Sequence, residues 1–295
     1  MANTKNSLPN LKALPYGGAW AIESLEYRHT IERVIRDQGR QLEATDTNRF
    51  LHAYREWFSS THRIHGLDLF NGLTCSLGTT ETFDKFYIAH NNLRLRIWRG
   101  EYFYHQMAAR NVFSDWAWIG QEPIRPGDVV MVSLPFADTG STPEGLDGVL
   151  DQCEQLQVPV LIDMAYINLA VDLDIDLSRD CIKVITTSLS KVFPVPYHRI
   201  GLRMTKGITD DLMIAYQQNQ YVNKFGCGLG MELITKYDAD HTHSTYSQRQ
   251  QEVCEQLGVE ASPCVIFGID TKGKHQQYNR GAGTNRLCFS KSWAE

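Results

Sequence analysis

The chain has 295 residues, of which 42% are hydrophobic, 21% charged and 11% aromatic, with a formal net charge of -5 at pH 7. That length suits one large domain or two smaller ones. The mild acidity and the lack of a basic block give no reason to expect nucleic acid or an anionic membrane, and no apolar run approaches bilayer length. The first residues carry no signal-peptide core, so a cytoplasmic location is the expectation. The cysteines at positions 75, 153, 181, 227, 254, 264 and 288 stand singly, with no C-x-x-C pair, which argues against a disulfide scaffold or a thiolate metal site.

Taken in chain order, Gly78-Thr79-Thr80 precedes Phe83, Phe86 and Tyr87 and reads as the start of an amphipathic helix. Gly100-Glu-Tyr-Phe-Tyr104 is an aromatic cluster. Pro126-Gly127-Asp128 is a turn, and Val129 to Leu134 is a short strand rich in β-branched residues. Thr142-Pro143-Glu144 reads as a helix start, with Thr142 as N-cap and Leu146, Val149, Leu150, Cys153 and Leu156 as one apolar face. Val158 to Asp163 and Cys181 to Thr187 are two further strands. His241-Thr-His243 reads as solvated loop. Arg286 stands in an apolar strand pattern with Leu287 and Phe289, where a buried charge needs a partner.

Strands alternating with a crossover helix predict an α/β fold with a mostly parallel central sheet flanked by helices. Ligands of such sheets bind outside the carboxyl ends of the strands. Those ends are followed by Pro135-Phe-Ala-Asp-Thr-Gly140, by Asp163-Met-Ala-Tyr166 and by Ser188-Leu-Ser-Lys191. A carboxylate, a phenol, hydroxyls and an amine are thus expected on one edge.

These segments resemble a known family. Ser188-Leu-Ser-Lys191 followed by Arg199-Ile-Gly201 is similar to the lysine segment of fold-type I pyridoxal 5'-phosphate enzymes, the aspartate aminotransferase superfamily. Asp163-Met-Ala-Tyr166 resembles its D-x-x-Y segment, and Gly78-Thr-Thr-Glu-Thr its phosphate loop. Pro135 to Gly140 resembles its N-P-T-G turn, and Asn285-Arg-Leu-Cys-Phe-Ser290 its arginine strand. The matches run in family order from about residue 70 to 290.

The resemblance implies the transferase-like large domain over residues 46–205. It also implies a reduced α+β small domain from 1–45 and 206–295, since the chain after Lys191 is short for the family. It implies pyridoxal 5'-phosphate as cofactor, with Lys191 joined to its aldehyde and later serving as the base at the substrate Cα. Asp163 would face the pyridine nitrogen and Tyr166 the ring oxygen. Gly78, Thr79, Thr80, Ser188 and Arg199, assisted by Ser190, would hold the phosphate. Tyr102, with Tyr104 as the other candidate, would stack on the ring, and Arg286 would take the substrate carboxylate. No metal is implied. The chemistry is consistent: burial frees an amine of its proton, a helix start favours an anion, and arginine offers a two-pronged donor.

The implied partners are an L-amino acid, a 2-oxo acid and a second copy in a homodimer. Leu14-Pro-Tyr-Gly-Gly18 resembles the segment that covers the substrate. Two positions depart from the pattern. Ala137 stands where the family has an asparagine that bonds the cofactor's ring oxygen, with Asp138 one position off. His198, a substrate contact or a structural loop residue, stands where glycine is common. Transamination is the expected reaction. Decarboxylation, racemisation, elimination, cyclisation and oxidation on the same cofactor stay open, as does a non-catalytic relative.

Overall fold

The computed structural model describes residues 19–208 and 210–293, so Leu14 to Gly18 lies outside the described residues. The three apolar runs read as strands lie side by side in the middle of one sheet. A small parallel pair, β1 (Arg63–His65) and β7 (Asp174–Asp176), stands apart from it. The large sheet holds β2 (Gly72–Leu77), β3 (Arg94–Ile97), β4 (Trp116–Trp118), β5 (Asp128–Ser133), β6 (Val160–Asp163), β8 (Ile182–Ser188) and β9 (Ile200–Thr205). Their order is β2-β9-β8-β6-β5-β3-β4, and only β9 runs against its neighbours.

Both faces of this sheet are covered, which is why β5 and β6 are buried at every residue and read as continuous apolar runs. Successive side chains alternate between faces. Val130, Val132, Val160, Ile162 and Ile185 enter one core, whereas Val129, Met131, Leu161 and Val184 enter the other. A register irregularity between Val160 and Leu161 pairs them with Ile182 and Val184, so one extra residue of β8 is taken up without misdirecting its apolar side chains. Helices α1 (Leu25–Gln38), α2 (Thr47–Ser59) and α7 (Lys224–Lys236) contribute to the first core through Ile31, Phe50, Tyr54 and Leu233. Helices α3 (Gly78–His90) and α4 (Phe103–Asn111) close the second with Phe83, Phe86, Ala108 and Ala109. Each such aliphatic side chain stabilises the fold by roughly 1.5–3 kcal/mol when fully buried.

A third core is built around the antiparallel sheet β10 (Glu260–Ala261), β11 (Phe267–Asp270) and β12 (Asn285–Cys288), with α8 (His241–Leu257) against it. Ala137, Tyr166 and Leu169, from loops at the carboxyl edge of the large sheet, belong to this core as well. The small sheet is therefore docked over that edge.

Two local expectations are corrected. Helix α5 (Leu146–Leu156) does not start from Thr142: Thr142-Pro143-Glu144 forms a turn closed by the Leu146 amide on the Pro143 carbonyl at 3.3 Å. Gly145, at φ 74°, separates that turn from the helix, and this left-handed backbone breaks the capping geometry. His241 to His243 is the first turn of α8 rather than loop. Thr242 is fully buried there and shares a 2.7 Å hydrogen bond with the Tyr27 hydroxyl, so packing against α1 decides the segment. α6 (Leu212–Gln218) completes the helices, and no described helix is long and apolar enough to cross a membrane.

Candidate functional site

Parallel β5, β6 and β8 end at Ser133, Asp163 and Ser188, and β2 ends at Leu77, directly before Gly78. Because β9 runs the opposite way, the residue that precedes it, Arg199, reaches the same edge. Topology thus delivers Gly78, Asp163, Tyr166, Ser188, Lys191 and Arg199 to one rim.

Lys191 ends a single 3-10 turn after β8. Its Nζ donates to the Ala19 carbonyl at 2.5 Å and lies 5.8 Å from the centre of the Tyr166 ring. Shielding from water lowers its pKa to about 8, against the pull of Asp163 in the other direction. Tyr166 is buried and meets Phe267 edge-on at 5.4 Å. Burial pushes its phenol well above the ordinary range, with Arg286 and Arg280 opposing.

Asp163 is 4% exposed. Its Oδ1 accepts the Ala165 amide at 3.0 Å, and its Oδ2 stands 3.9 Å from His105 Nε2. His105, fully buried on α4, has its Nδ1 2.6 Å from the Tyr87 hydroxyl and no other partner at Nε2. If Nδ1 kept the proton, a bare Nε2 lone pair would face a carboxylate. The phenol is therefore the donor, and the imidazole proton sits on Nε2 toward Asp163. Tyr102, the residue before α4, meets His105 edge-on at 5.6 Å and stacks on Tyr104 at 6.2 Å. Burial and the Asp163 charge raise its phenol, and Arg199 and Arg280 oppose them, so the ring stands among all three.

At the other end of the rim, α3 begins at Gly78 with φ 70°. A Cβ there would sit 2.6 Å from Arg199 Nη2, so only glycine lets the guanidinium lie across the helix start. The same Nη2 donates to Thr80 Oγ1 at 2.7 Å and to the Leu77 carbonyl at 2.8 Å. Thr79 is buried in the same turn. Glu81 accepts the Leu77 amide at 2.7 Å, and the next amides of the first turn have no intrahelical acceptor, as at any helix start. Ser188 is less free than expected, because its hydroxyl already contacts the Ile200 carbonyl and Ser190 Oγ, both at 3.0 Å. The arrangement has the donors that an anion needs.

Arg286, on β12 opposite Ile269, is 4% exposed and donates from Nη1 to the Ala137 carbonyl; its Cζ lies 4.4 Å from the centre of the Phe267 ring. Its Nε has no hydrogen-bond partner among the described residues. Asp138 turns away toward Thr284 Oγ1, at 2.8 Å, and does not supply the amide that Ala137 lacks. His198 stacks on Phe225 at 6.1 Å, and its carbonyl accepts Asn223 Nδ2 at 2.7 Å, a structural placement.

The fold is that of the aspartate aminotransferases. A Thermus thermophilus aspartate aminotransferase variant superposes with a TM-score of 0.69 at 13% identity, covering 98% of this chain and 94% of the other. An aromatic aminotransferase from Pyrococcus horikoshii matches at 0.67 and 11%, covering 92% and 89%. An L-threonine-O-3-phosphate decarboxylase from Porphyromonas gingivalis matches at 0.63 and 12%, covering 92% and 94%. No family model and no curated protein matches the chain.

Three residues of this rim went unread in the sequence. His105 carried a weak signal, a lone histidine on an otherwise apolar helix face. Glu101, fully buried, accepts the amides of Tyr102 and Ser133 at 2.8 and 3.0 Å and ties the aromatic cluster to β5. Arg280 carried none, because Asn279-Arg-Gly-Ala-Gly283 has the composition of an exposed turn.

Proposed function

We propose that this protein is a pyridoxal 5'-phosphate enzyme that holds its cofactor through Lys191 and transfers an amino group between an L-amino acid and a 2-oxo acid. The observation that carries this reading is the meeting, on one sheet edge, of a shielded amine, a buried carboxylate and an anion cradle. The residues fit the group. The glycine at 78 leaves room where a Cβ would collide with Arg199, and that guanidinium with the first amides of α3 suits a phosphate. Asp163, oriented by His105, suits a protonated ring nitrogen, and Tyr102 suits a ring face.

When bound, the cofactor supplies an electron-withdrawing ring for charge that develops at the substrate Cα. Lys191, with its pKa lowered to about 8, holds or releases a proton at that carbon near neutral pH. Arg286 would hold the substrate carboxylate, with an Nε that has no hydrogen-bond partner among the described residues. Asp163, held by the Ala165 amide and facing His105 Nε2 at 3.9 Å, would stand against the ring nitrogen. The amino-acid and aromatic aminotransferases of the same fold support transamination.

We further propose a homodimer. Leu77, Tyr197 and Tyr221 are 47%, 86% and 76% exposed around the Arg199 end of the rim, an apolar surface suited to a second copy. The separate core around α8 and β10 to β12 supports a second, small domain, whereas α1 and α7 pack in the core of the large sheet. Free thiols at all seven cysteines support a reducing, cytoplasmic setting.

Ala137 favours a second reading, decarboxylation or another reaction on the same cofactor, because the missing amide removes one donor to the ring oxygen; the decarboxylase of the same fold agrees with it. Purified protein with pyridoxal phosphate should show a visible absorbance band that borohydride abolishes and Lys191→Ala lacks. Absence of the band, or its survival in Lys191→Ala, refutes the cofactor reading. Bleaching by an amino acid that a 2-oxo acid reverses marks transamination; carbon dioxide release without reversal marks the second reading.

A further inference from the structure

Arg280 enters the rim from the loop before β12 and is as buried as Arg286, each at 4% exposure. Both guanidiniums donate through Nη1 to one neutral acceptor, the Ala137 carbonyl, Arg280 at 3.3 Å. Among the described residues its other hydrogen bond is a long one, from Nη2 to the Glu101 carbonyl at 3.4 Å. The Nε atoms of both side chains are buried without a partner.

The nearby carboxylates do not resolve this. Asp138 Oδ1 forms a long ion pair with Arg280 Nε at 3.8 Å, outside hydrogen-bond reach, while Oδ2 is committed to Thr284. Glu101 spends both oxygens on Ser133 and the Tyr102 amide. Three loops hold the arrangement in place. Gly100, at φ 83°, brings its backbone so near Asp138 and Ala282 that a Cβ would lie 2.8 and 2.9 Å from theirs. Two buried guanidiniums thus share one carbonyl, with one long ion pair, to Asp138, between them and an Nε–H on each that no hydrogen bond takes up, an arrangement that suits an anion between them.

Building on the amino-acid reading of this site, we propose that Arg280 joins Arg286 in one receptor that grips a single substrate carboxylate between two guanidiniums. The receptor sets the ligand class. Molecules with a carboxylate beside the reacting carbon bind, and amines without one do not.

Calorimetric titration of the full chain with propionate and with propionamide tests this without turnover. Propionate should bind and propionamide should not. Arg280→Met and Arg286→Met should each weaken propionate by about tenfold to a hundredfold, as expected for a lost charge-assisted hydrogen bond. Arg280→Lys should fall between, and circular dichroism confirms that each variant is folded. Maleate, with two carboxylates, should gain little over propionate. An unchanged propionate affinity in Arg280→Met overturns the proposal. So does a large maleate preference that this variant alone removes, which would place a second acid on Arg280. Failure of propionate to bind wild-type protein at any soluble concentration also overturns it. Arginine-dependent propionate binding by a protein that forms no visible band with pyridoxal phosphate refutes the cofactor reading and leaves the receptor standing. The opposite pattern refutes the receptor alone.

Discussion

Cofactor-free protein should gain stability relative to its Lys191→Met variant as the pH rises from 8 to 10.5. Shielding lowers the Lys191 pKa from 10.5 to about 8. Below the lower value both the folded and unfolded chains carry the charge, and the folded state bears the full cost of burying it. Between the two values the unfolded chain binds a proton that the folded chain has released, so a rise in pH favours folding. Above both, neither state is charged and the difference is constant. A gap from 10.5 to about 8 corresponds to at most about 3 kcal/mol over the window. Urea denaturation of both proteins at steps across that range measures it. A difference that stays flat with pH refutes the reasoning. The same shift governs reactivity. At pH 7.5 roughly a quarter of such amines are neutral, against roughly one in a thousand for an unshielded lysine. The rate of band formation with pyridoxal phosphate should therefore reach half its plateau near the pH at which Lys191 titrates; a rate still climbing above pH 10 contradicts it.

Two further outcomes follow from the rim. Gly78→Ala should cost about 1–2 kcal/mol for its left-handed backbone and weaken pyridoxal phosphate binding by about tenfold, because the Cβ displaces Arg199; fluorescence titration that finds unaltered affinity sinks the cradle. His105→Leu should cost about 1–3 kcal/mol by leaving the buried Tyr87 hydroxyl unpaired. It should also shift the pH at which the bound cofactor's absorbance changes, since Asp163 loses the proton turned toward it. An unmoved profile would leave His105 with a packing role only.

The central strands were legible because burial on both faces leaves an apolar run that no solvated segment tolerates. The rim residues Asp163, Ser188 and Lys191 were legible for a related reason, since polar groups placed directly after such runs stand at strand ends. The start of α5 was misread because Pro143 suits a first helical turn and a tight turn equally well, and the backbone angle at Gly145 decides between them. The His241 segment was misread because its polar composition hides Thr242, whose burial depends on a tyrosine far away in the chain.

Local chemistry by itself pointed to the sheet and to the polar edge where Asp163, Tyr166, Ser188 and Lys191 stand, whereas Gly78 was read through the resemblance to a phosphate loop. Tertiary structure alone decided what faces them. His105 reaches Asp163 from another strand's helix, and Arg280 joins Arg286 because a small sheet docks over the edge. Those contacts join residues distant along the chain, and no period or spacing records which loops a docked sheet will bring together. The packing of β10 to β12 on Tyr166 and Ala137 does.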